Sequence, residues 1–139
     1  MTKIKILFIC KHNRFRSKIG EAIFSKIVKE SGREKEFEIK SAGVRLDILN
    51  PYVSENVYTA LKEKGYELRD NKSREVDKLL IDWADKVILV ADNVSPDSFP
   101  KSKLIVLPIR DCDQSELKCI RERVSKVEKE LKQLIRSLN

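Results

Sequence analysis

Residues 3–17 read KIKILFICKHNRFRS, and this stretch decides the fold. Residues 3–9 form a short apolar run rich in β-forming side chains, which predicts a buried first strand, and residues 11–15 break that pattern. From Ser17 onward apolar side chains recur at the spacing of a helix, which Gly32 ends. The apolar positions of this helix are Ile19, Ala22, Ile23, Ile27 and Val28. The chain therefore opens with a strand, a loop and a helix.

The same alternation continues to the end of the chain. Strand patterns occur at residues 37–40, 86–90 and 104–107, and helical patterns occur at residues 54–64, 73–83 and 115–138. Residues 93–101, which contain Pro96 and Pro100, are expected to form a loop or a short helix. Alternating strands and helices predict an α/β fold. We expect one three-layer domain over residues 1–139, with a four-stranded parallel sheet and helices on both of its faces.

Composition narrows the class of protein. The chain has 139 residues, of which 41% are hydrophobic and 37% charged, as expected of a soluble globular domain. No apolar run approaches the roughly 18 residues of a membrane span. The first residues run straight into a strand pattern and lack the layout of a signal peptide. We therefore expect a cytoplasmic protein without a membrane partner.

The net charge of +7 makes the surface attractive to anions, which include phosphates, nucleic acids and acidic proteins. The 29 basic residues are spread along the chain and mixed with 22 acidic ones. This pattern favours a solvated, lysine-rich surface over dedicated nucleic-acid binding.

The three cysteines are Cys10, Cys112 and Cys119. An odd number without a secretory signal argues against a disulfide framework, so all three are expected to be thiols in a reducing compartment. Cys119 is expected to be partly buried packing on the last helix. With no CxxC pair and His12 as the one histidine, no zinc site and no cofactor are expected.

The loop after the first strand carries the reactive residues. Cys10 ends the strand, Arg16 follows six positions later, and Ser17 begins the helix. Ligands of open α/β sheets bind beyond the carboxyl ends of the strands, where backbone N–H groups and the helix dipole favour an anion. A cysteine there is favoured as a thiolate nucleophile, and an arginine can hold two phosphate oxygens with its planar guanidinium. The pattern predicts a phosphate-binding loop in which Ser17 hydrogen-bonds the cysteine sulfur.

This motif, C-x5-R-S with Asn13 inside it, resembles the low-molecular-weight protein tyrosine phosphatases and the thioredoxin-coupled arsenate reductases of the same fold. The resemblance covers almost the whole chain. Further landmarks match in the same order: Ser41-Ala42-Gly43-Val44, Glu63-Lys64-Gly65-Tyr66, Ser73-Arg74 and Ala84-Asp85-Lys86-Val87-Ile88. An aspartate after the fourth strand completes the set.

The resemblance implies roles for individual residues. Cys10 would be the nucleophile and Arg16 the phosphate clamp. Asn13 would hold the loop through hydrogen bonds that include Ser41, and Ser17 would stabilise the thiolate. The remaining loop residues are Lys11, His12, Arg14 and Phe15.

The same family places a general acid after the fourth strand. We assign Asp111 to this role and keep Asp113 as the alternative, because the chemistry needs a carboxyl that protonates the leaving oxygen and then activates water. The implied activity is hydrolysis of phosphate monoesters, with protein phosphotyrosine as the substrate, through a phosphocysteine intermediate.

Several positions depart from the phosphatase pattern. His12 stands where a glycine is usual and Phe15 where many members have a second cysteine; His-Asn is common in the reductase-like branch. Cys112 stands where the phosphatases carry proline, and no tryptophan or tyrosine lies in residues 44–50. Phosphotyrosine preference is therefore less strongly indicated than hydrolysis. His12 is expected to serve loop structure rather than to react.

Three other functions stay open. An arsenate reductase would need resolving thiols, but the two relay positions of that branch look like Ala91 and Phe99, so external thiols or Cys112 would have to serve. Cys112 is expected to be an ordinary loop thiol, and the alternative left open is a reversible disulfide with Cys10. The second alternative is a non-catalytic module that only binds oxyanions. A phosphocarrier is disfavoured, because Arg16 and Asp111 would speed hydrolysis. The expected partner is a phosphorylated protein or a small phosphate or arsenate oxyanion.

Overall fold

The protein, described by a computed structural model over residues 2–138, is built on one four-stranded sheet. The strands are β1 (Ile4–Cys10), β2 (Phe37–Gly43), β3 (Lys86–Val90) and β4 (Leu104–Leu107). They are all parallel and lie in the order β2-β1-β3-β4. The predicted α/β fold with a four-stranded parallel sheet is confirmed. Met1 and Asn139, the ends of the predicted domain, lie outside the described residues.

Helices cover both faces of this sheet. They are α1 (Arg16–Glu30), α2 (Glu55–Glu63), α3 (Lys78–Trp83) and α4 (Leu117–Leu134), with short 3₁₀ turns at Glu34–Glu36, Pro96–Ser98 and Ile135–Ser137. In the part of the chain from residue 2 to residue 138, no helix is long and apolar enough to span a membrane.

Successive side chains of β1 point to opposite faces of the sheet, which divides the core in two. Phe8 packs with residues of α1, α2 and α4 on one face. Leu7 packs with Leu80 of α3 on the other. Because both faces are covered, the central strands read as continuous apolar runs rather than as alternating patterns. This is why the sequence shows β3 at the residues that form it, whereas β4 is an edge strand and leaves Val106 exposed.

The helix predicted over residues 73–83 is wrong in its first half. Residues 73–77 are not helical, and Glu75 pairs with Gly43 beside the end of β2. The Gly43 N–H donates to the Arg74 carbonyl, and the Val76 N–H donates to the Gly43 carbonyl. Only then does Asp77 accept a hydrogen bond from the Leu80 N–H and begin α3. A long-range pairing has therefore replaced the first turns of the expected helix.

Smaller differences concern element ends. Ser41-Ala42-Gly43 belongs to β2 rather than following it. The last helix is predicted over residues 115–138, whereas α4 covers Leu117–Leu134 and a 3₁₀ turn follows at Ile135–Ser137. The helix predicted over residues 54–64 agrees with α2 to one residue at each end, because the Ser54 hydroxyl accepts from the Val57 N–H and caps it.

The strand order fixes where a ligand can bind. The chain turns from β1 to β2 on one side and later returns to place β3 on the other side of β1. The carboxyl ends of β1 and β3 therefore flank a crevice at the point where the order reverses. The segments that follow β1, β3 and β4 surround this crevice.

Candidate active site

A cavity of about 60 Å³ lies at the carboxyl end of β1. Its lining comes from the loop after β1 and from the segment after β4: Cys10, His12, Arg14, Phe15, Arg16, Asp111, Cys112 and Gln114. Larger surface grooves of about 420 and 450 Å³ lie elsewhere, lined mainly by charged and small side chains. We take the small cavity as the site, because it gathers a thiol, a guanidinium and a carboxylate.

Cys10 is the last residue of β1 and is buried, with 2% of its surface exposed. Among residues 2–138 it is the one free cysteine. Its Sγ lies 3.0 Å from the Ser17 Oγ at the start of α1. The strand and the helix thus place a thiol and a hydroxyl in direct contact at the base of the loop.

Asn13 organises the loop from its centre. It adopts a left-handed backbone with φ of 55°, which asparagine tolerates better than most residues. Its Oδ1 accepts from the Arg74 N–H at 2.9 Å, and this fixes which side of the amide carries the NH₂. The Nδ2 then donates to Ser17 Oγ at 2.7 Å and to Ser41 Oγ at 3.0 Å. The predicted bond between Asn13 and Ser41 is confirmed.

These bonds limit where the two hydroxyl protons can point. The Ser17 oxygen accepts from Asn13, which leaves its own proton available to a thiolate at Cys10. The Ser41 hydroxyl likewise donates to the Glu21 carboxylate at 2.6 Å. A hydroxyl that donates to sulfur favours the thiolate, which is the reactive form of cysteine.

The Arg16 side chain is almost completely buried, with 1% exposed, and both of its terminal nitrogens are held. Nη1 donates to the Ile109 carbonyl and Nη2 to the Asn93 Oδ1, each at 2.9 Å. The carboxylates of Asp92 and Asp111 lie 3.6 and 3.7 Å from these nitrogens. The buried Nε has no hydrogen-bond partner within the described chain. The guanidinium is therefore fixed in place, and its Nε–H is left for a ligand.

The other loop residues anchor the rim. The His12 Nδ1 donates to the Arg45 carbonyl at 2.7 Å, and the Arg14 Nε donates to the Tyr52 carbonyl at 2.9 Å. Phe15 is buried in the core on the α1 side of the sheet. Lys11 is half-buried and does not line the cavity, but its carbonyl accepts from the Arg45 N–H.

Lys18 adds a buried positive charge close to the loop. Its Nζ donates to the Asp70 carbonyl at 2.8 Å. Burial lowers the pKa of Lys18, while the carboxylates of Glu21 and Asp70 act in the opposite direction. The sequence places Lys18 among the positive charges near the loop but does not indicate its burial, because a lysine on a helix is normally solvated.

The two candidate acids lie in different surroundings. Asp111 lines the cavity, with one carboxylate oxygen near Arg16 and the other accepting from the Cys112 N–H. Asp113 does not line it and turns to Ser115. The backbone N–H and the hydroxyl of Ser115 both donate to Asp113 and lower the pKa of that carboxyl. A low pKa keeps a carboxyl ionised and makes it a poor proton donor.

The expectation that all three cysteines are thiols is wrong for two of them. Cys112 and Cys119 form a disulfide that joins the segment after β4 to the first turns of α4. The pairing spans only seven positions. Cys119 is half-buried as expected, but it is a bonded residue rather than simple packing. Any two of three cysteines can pair, so the sequence alone does not specify this bond.

Sequence patterning also missed Asn93 and Gln114. Asn93 comes shortly after the end of β3 and accepts a hydrogen bond from Arg16. A polar residue just beyond a buried parallel strand lies at the edge of the sheet where ligands bind, so its position in the sequence could have marked it as a site residue. Gln114 reaches the cavity from an irregular segment and also accepts from the Ser54 hydroxyl. No periodic pattern marks it.

Comparison with known proteins adds relatives of two kinds. The family model described as low molecular weight phosphotyrosine protein phosphatase matches residues 5–107. Arsenate reductase 2 of Staphylococcus haemolyticus is 31% identical over 106 residues, which cover 74% of each chain. A solved structure titled YwlE arginine phosphatase from Geobacillus stearothermophilus superposes with a TM-score of 0.78 at 25% identity, over 97% of this chain and 92% of that one. A protein tyrosine phosphatase from Entamoeba histolytica has a TM-score of 0.84 at 20% identity, over 98% and 97% of the two chains, and shares the fold.

Proposed function

The chain belongs to the low molecular weight phosphotyrosine protein phosphatase family, and on that premise we propose that it hydrolyses phosphate monoesters through a phosphocysteine on Cys10. The observation that carries this proposal is the hydroxyl beside the nucleophile: Ser17 Oγ lies 3.0 Å from the Cys10 sulfur and accepts from Asn13, so its proton is available to a thiolate at that sulfur. A thiol that only filled space in the core would not need this arrangement.

In the first step the Cys10 thiolate attacks phosphorus, and the bond from phosphorus to the ester oxygen breaks. Asp111 gives its proton to the departing oxygen, which leaves as an alcohol or phenol. In the second step Asp111 takes a proton from water, whose oxygen attacks phosphorus and expels the thiolate. The Ser17 hydroxyl stabilises that thiolate as the leaving group.

Arg16 supports this reaction by electrostatics. Its free Nε and the N–H groups of the loop are the donors for the phosphate oxygens, whose charge grows on the way to the transition state. Asp111 is the better general acid of the two candidates, because Asp113 is engaged with Ser115. No metal ion is required, since the guanidinium and backbone donors supply the positive potential.

Protein phosphotyrosine is the substrate we propose first. The segment after β2 borders the loop through Arg45 and Tyr52, and it exposes Ile48 and Leu49 almost fully. Exposed aliphatic side chains on the segment that borders the loop are available to contact the organic part of a substrate. The structural relative titled an arginine phosphatase makes phosphoarginine the second substrate to test.

The test is hydrolysis of p-nitrophenyl phosphate by the reduced protein. We expect turnover in the wild type and none in Cys10→Ser, with folding of both checked by circular dichroism. Phosphotyrosine, phosphoserine and phosphoarginine peptides then rank the substrates. Absence of phosphate release from every substrate by folded, reduced wild type would reject the proposal and favour a module that only binds oxyanions.

Arsenate reduction is the second candidate, because the curated relative at 31% identity is an arsenate reductase. Arsenate has the shape and charge of phosphate and would bind to the same donors. Ala91 and Phe99, at the expected relay positions, are buried apolar residues, so the electrons must come from other thiols. Arsenite formation that requires both Cys10 and added thiol would support this activity. A side-by-side assay with aryl phosphate separates the two reactions.

A further inference from the structure

Two of the three cysteines face the same cavity. Cys10 lies at its base as a free thiol, and Cys112 lines it from the segment after β4. Cys119 does not line the cavity and is bonded to Cys112. Cys112 is therefore the one cysteine of the disulfide that also lines the cavity.

The segment that carries Cys112 is irregular. Residues 108–116 form neither helix nor strand. Cys112 itself is held by local bonds, since its N–H donates to Asp111 and its carbonyl accepts from Gln114. A change of partner from Cys119 to Cys10 would break no strand pairing and no helical turn. Cys119, in contrast, is part of α4 and keeps its place.

We propose that Cys112 and Cys119 form an internal relay that takes an oxidising equivalent from Cys10 and stores it as their disulfide. The inference rests on the proposed role of Cys10 as a reactive thiolate, and it adds protection of that thiolate against peroxide. The bonded state of the structure, with Cys10 free and the other pair joined, is the end product of this relay.

The chemistry balances with a peroxide as oxidant and an external dithiol as reductant. The Cys10 thiolate attacks hydrogen peroxide, forms a sulfenic acid and releases hydroxide. In the reduced protein the Cys112 thiol attacks that sulfur, a Cys10–Cys112 disulfide forms, and the hydroxyl leaves with the thiol proton as water. The Cys119 thiol, its proton passing to the hydroxide, then attacks Cys112 and releases the Cys10 thiolate. The two electrons come from Cys112 and Cys119, and an external dithiol restores them.

The test compares two variants that each remove one half of the same disulfide. Wild type, Cys119→Ser and Cys112→Ser are fully reduced, freed of reductant and treated with one equivalent of hydrogen peroxide, or with several equivalents in a parallel sample. Non-reducing peptide mapping then identifies each bond. Hydrolysis of p-nitrophenyl phosphate is measured before peroxide, after it, and after dithiothreitol, relative to the untreated activity of the same variant.

We expect wild type to keep most of its activity and to contain the Cys112–Cys119 bond. Cys119→Ser should stop at Cys10–Cys112 and lose activity that dithiothreitol restores. Cys112→Ser has no resolving thiol, so further peroxide should carry Cys10 to sulfinic acid and cause a loss that dithiothreitol does not restore. Both variants lack the Cys112–Cys119 disulfide. A difference between their responses to peroxide therefore cannot come from the contribution of that disulfide to the folded structure.

Identical behaviour of the two variants, or no Cys10–Cys112 bond in Cys119→Ser, would overturn the relay. That outcome leaves the proposed hydrolysis intact if the untreated wild type turns over aryl phosphate. Conversely, relay bonds in a protein that releases no phosphate would reject the proposed hydrolysis alone.

Discussion

Asn13 connects four parts of the chain through one amide and one carbonyl. Its side chain reaches Ser17 and Ser41 and accepts from the Arg74 N–H, and its carbonyl accepts from the Ser73 hydroxyl at 3.1 Å. All of these groups are at least partly buried, where an unpaired polar group is costly. The loop is thus held in its curved form before any ligand binds, which reduces the reorganisation needed during the reaction.

Replacement of Ser17 by alanine tests the hydroxyl that faces the nucleophile. A hydrogen bond to a charged group is worth about 1.5–3 kcal/mol, which corresponds to roughly a ten- to hundredfold change in rate. We expect kcat to fall by that factor, with dephosphorylation of the enzyme slowed most, because the thiolate then leaves without its donor. A burst of phenol release in rapid-mixing experiments measures this step. An unchanged kcat would remove Ser17 from the mechanism.

Asn93 is expected to act by positioning Arg16. Asn93→Ala removes the acceptor of Nη2, and the loss of a charged hydrogen bond predicts about a tenfold fall in kcat/KM. Addition of free guanidinium should not restore it, because Arg16 is present but displaced. The matched control is Asn71→Ala, an exposed asparagine for which only a backbone contact is seen. Equal activities of the two variants would contradict the positioning role.

At the scale of elements, the loop and β2 fit closely at Gly43. A Cβ at this position would lie 2.7 Å from the Asn13 nitrogen and 2.7 Å from the His12 carbonyl carbon. Both neighbours are backbone atoms, which cannot turn aside as a flexible side chain can. Glycine is therefore required where β2 passes beneath the phosphate-binding loop.

Gly43→Ala is predicted to damage activity more than stability alone explains. Overpacking of this kind costs about 1–3 kcal/mol, and here the displaced atoms are those of the loop itself. Gly32→Ala is the control, since the new Cβ meets nothing within 4 Å but the φ of 72° makes it destabilising by about 1–2 kcal/mol. Urea unfolding should show two comparable losses, while only Gly43→Ala loses aryl phosphate hydrolysis. Full activity in Gly43→Ala would mean that the loop tolerates the shift.

The elements show which features are readable from sequence. The apolar runs of the central strand β3 and the edge strand β4 mark parallel strands, and their bounds agree with the prediction. The first turns of the helix expected at residues 73–83 fail because Glu75 pairs with Gly43, far away along the chain. Local periodicity carries no information about such a partner, so propensity was overridden by tertiary pairing.

The same distinction applies to the candidate site. Cys10, Arg16 and Ser17 belong to one continuous motif and were predicted together. Asn93 and Gln114 enter the site only because β3 and the segment after β4 lie beside β1, which depends on the strand order. The pairing of Cys112 with Cys119 is likewise a property of the folded chain.

At the scale of the whole molecule, α4 is held to the segment after α2 by a polar cluster. The Tyr66 hydroxyl donates to the Glu128 carboxylate, and Lys64 donates to the same carboxylate at 3.1 Å and to Ser125 at 3.0 Å. Burial and the contact with Glu128 raise the pKa of Tyr66. Since α4 also carries Cys119, this cluster supports the helix on which the disulfide depends.

The charge of Glu128 gives the cluster a pH dependence. Burial alone would raise the pKa of Glu128, but the hydrogen bonds from Tyr66 and Lys64 and the nearby lysine charges bring it below its ordinary value of 4.5. A carboxyl whose pKa is lower in the folded state than in the unfolded state stabilises the fold above the unfolded value. That contribution is lost as the pH falls from about 4.5 through the lower folded value.

Glu128→Gln should therefore destabilise the protein at neutral pH and much less in acid. We expect a loss of about 1–2 kcal/mol at pH 7, because two donors lose a charged acceptor that is partly exposed and screened. At about pH 3 the wild-type carboxyl approaches its protonated form, so the difference in unfolding free energy should shrink. Glu122→Gln is the control on the same helix, because within residues 2–138 the one ion pair of its carboxylate is with Arg123 at 4.0 Å. It should change stability by less than about 0.5 kcal/mol. Urea unfolding of the three proteins at both pH values measures these free energies. If wild type and Glu128→Gln differ in unfolding free energy by the same amount at both pH values, packing rather than the charge of Glu128 holds α4 in place.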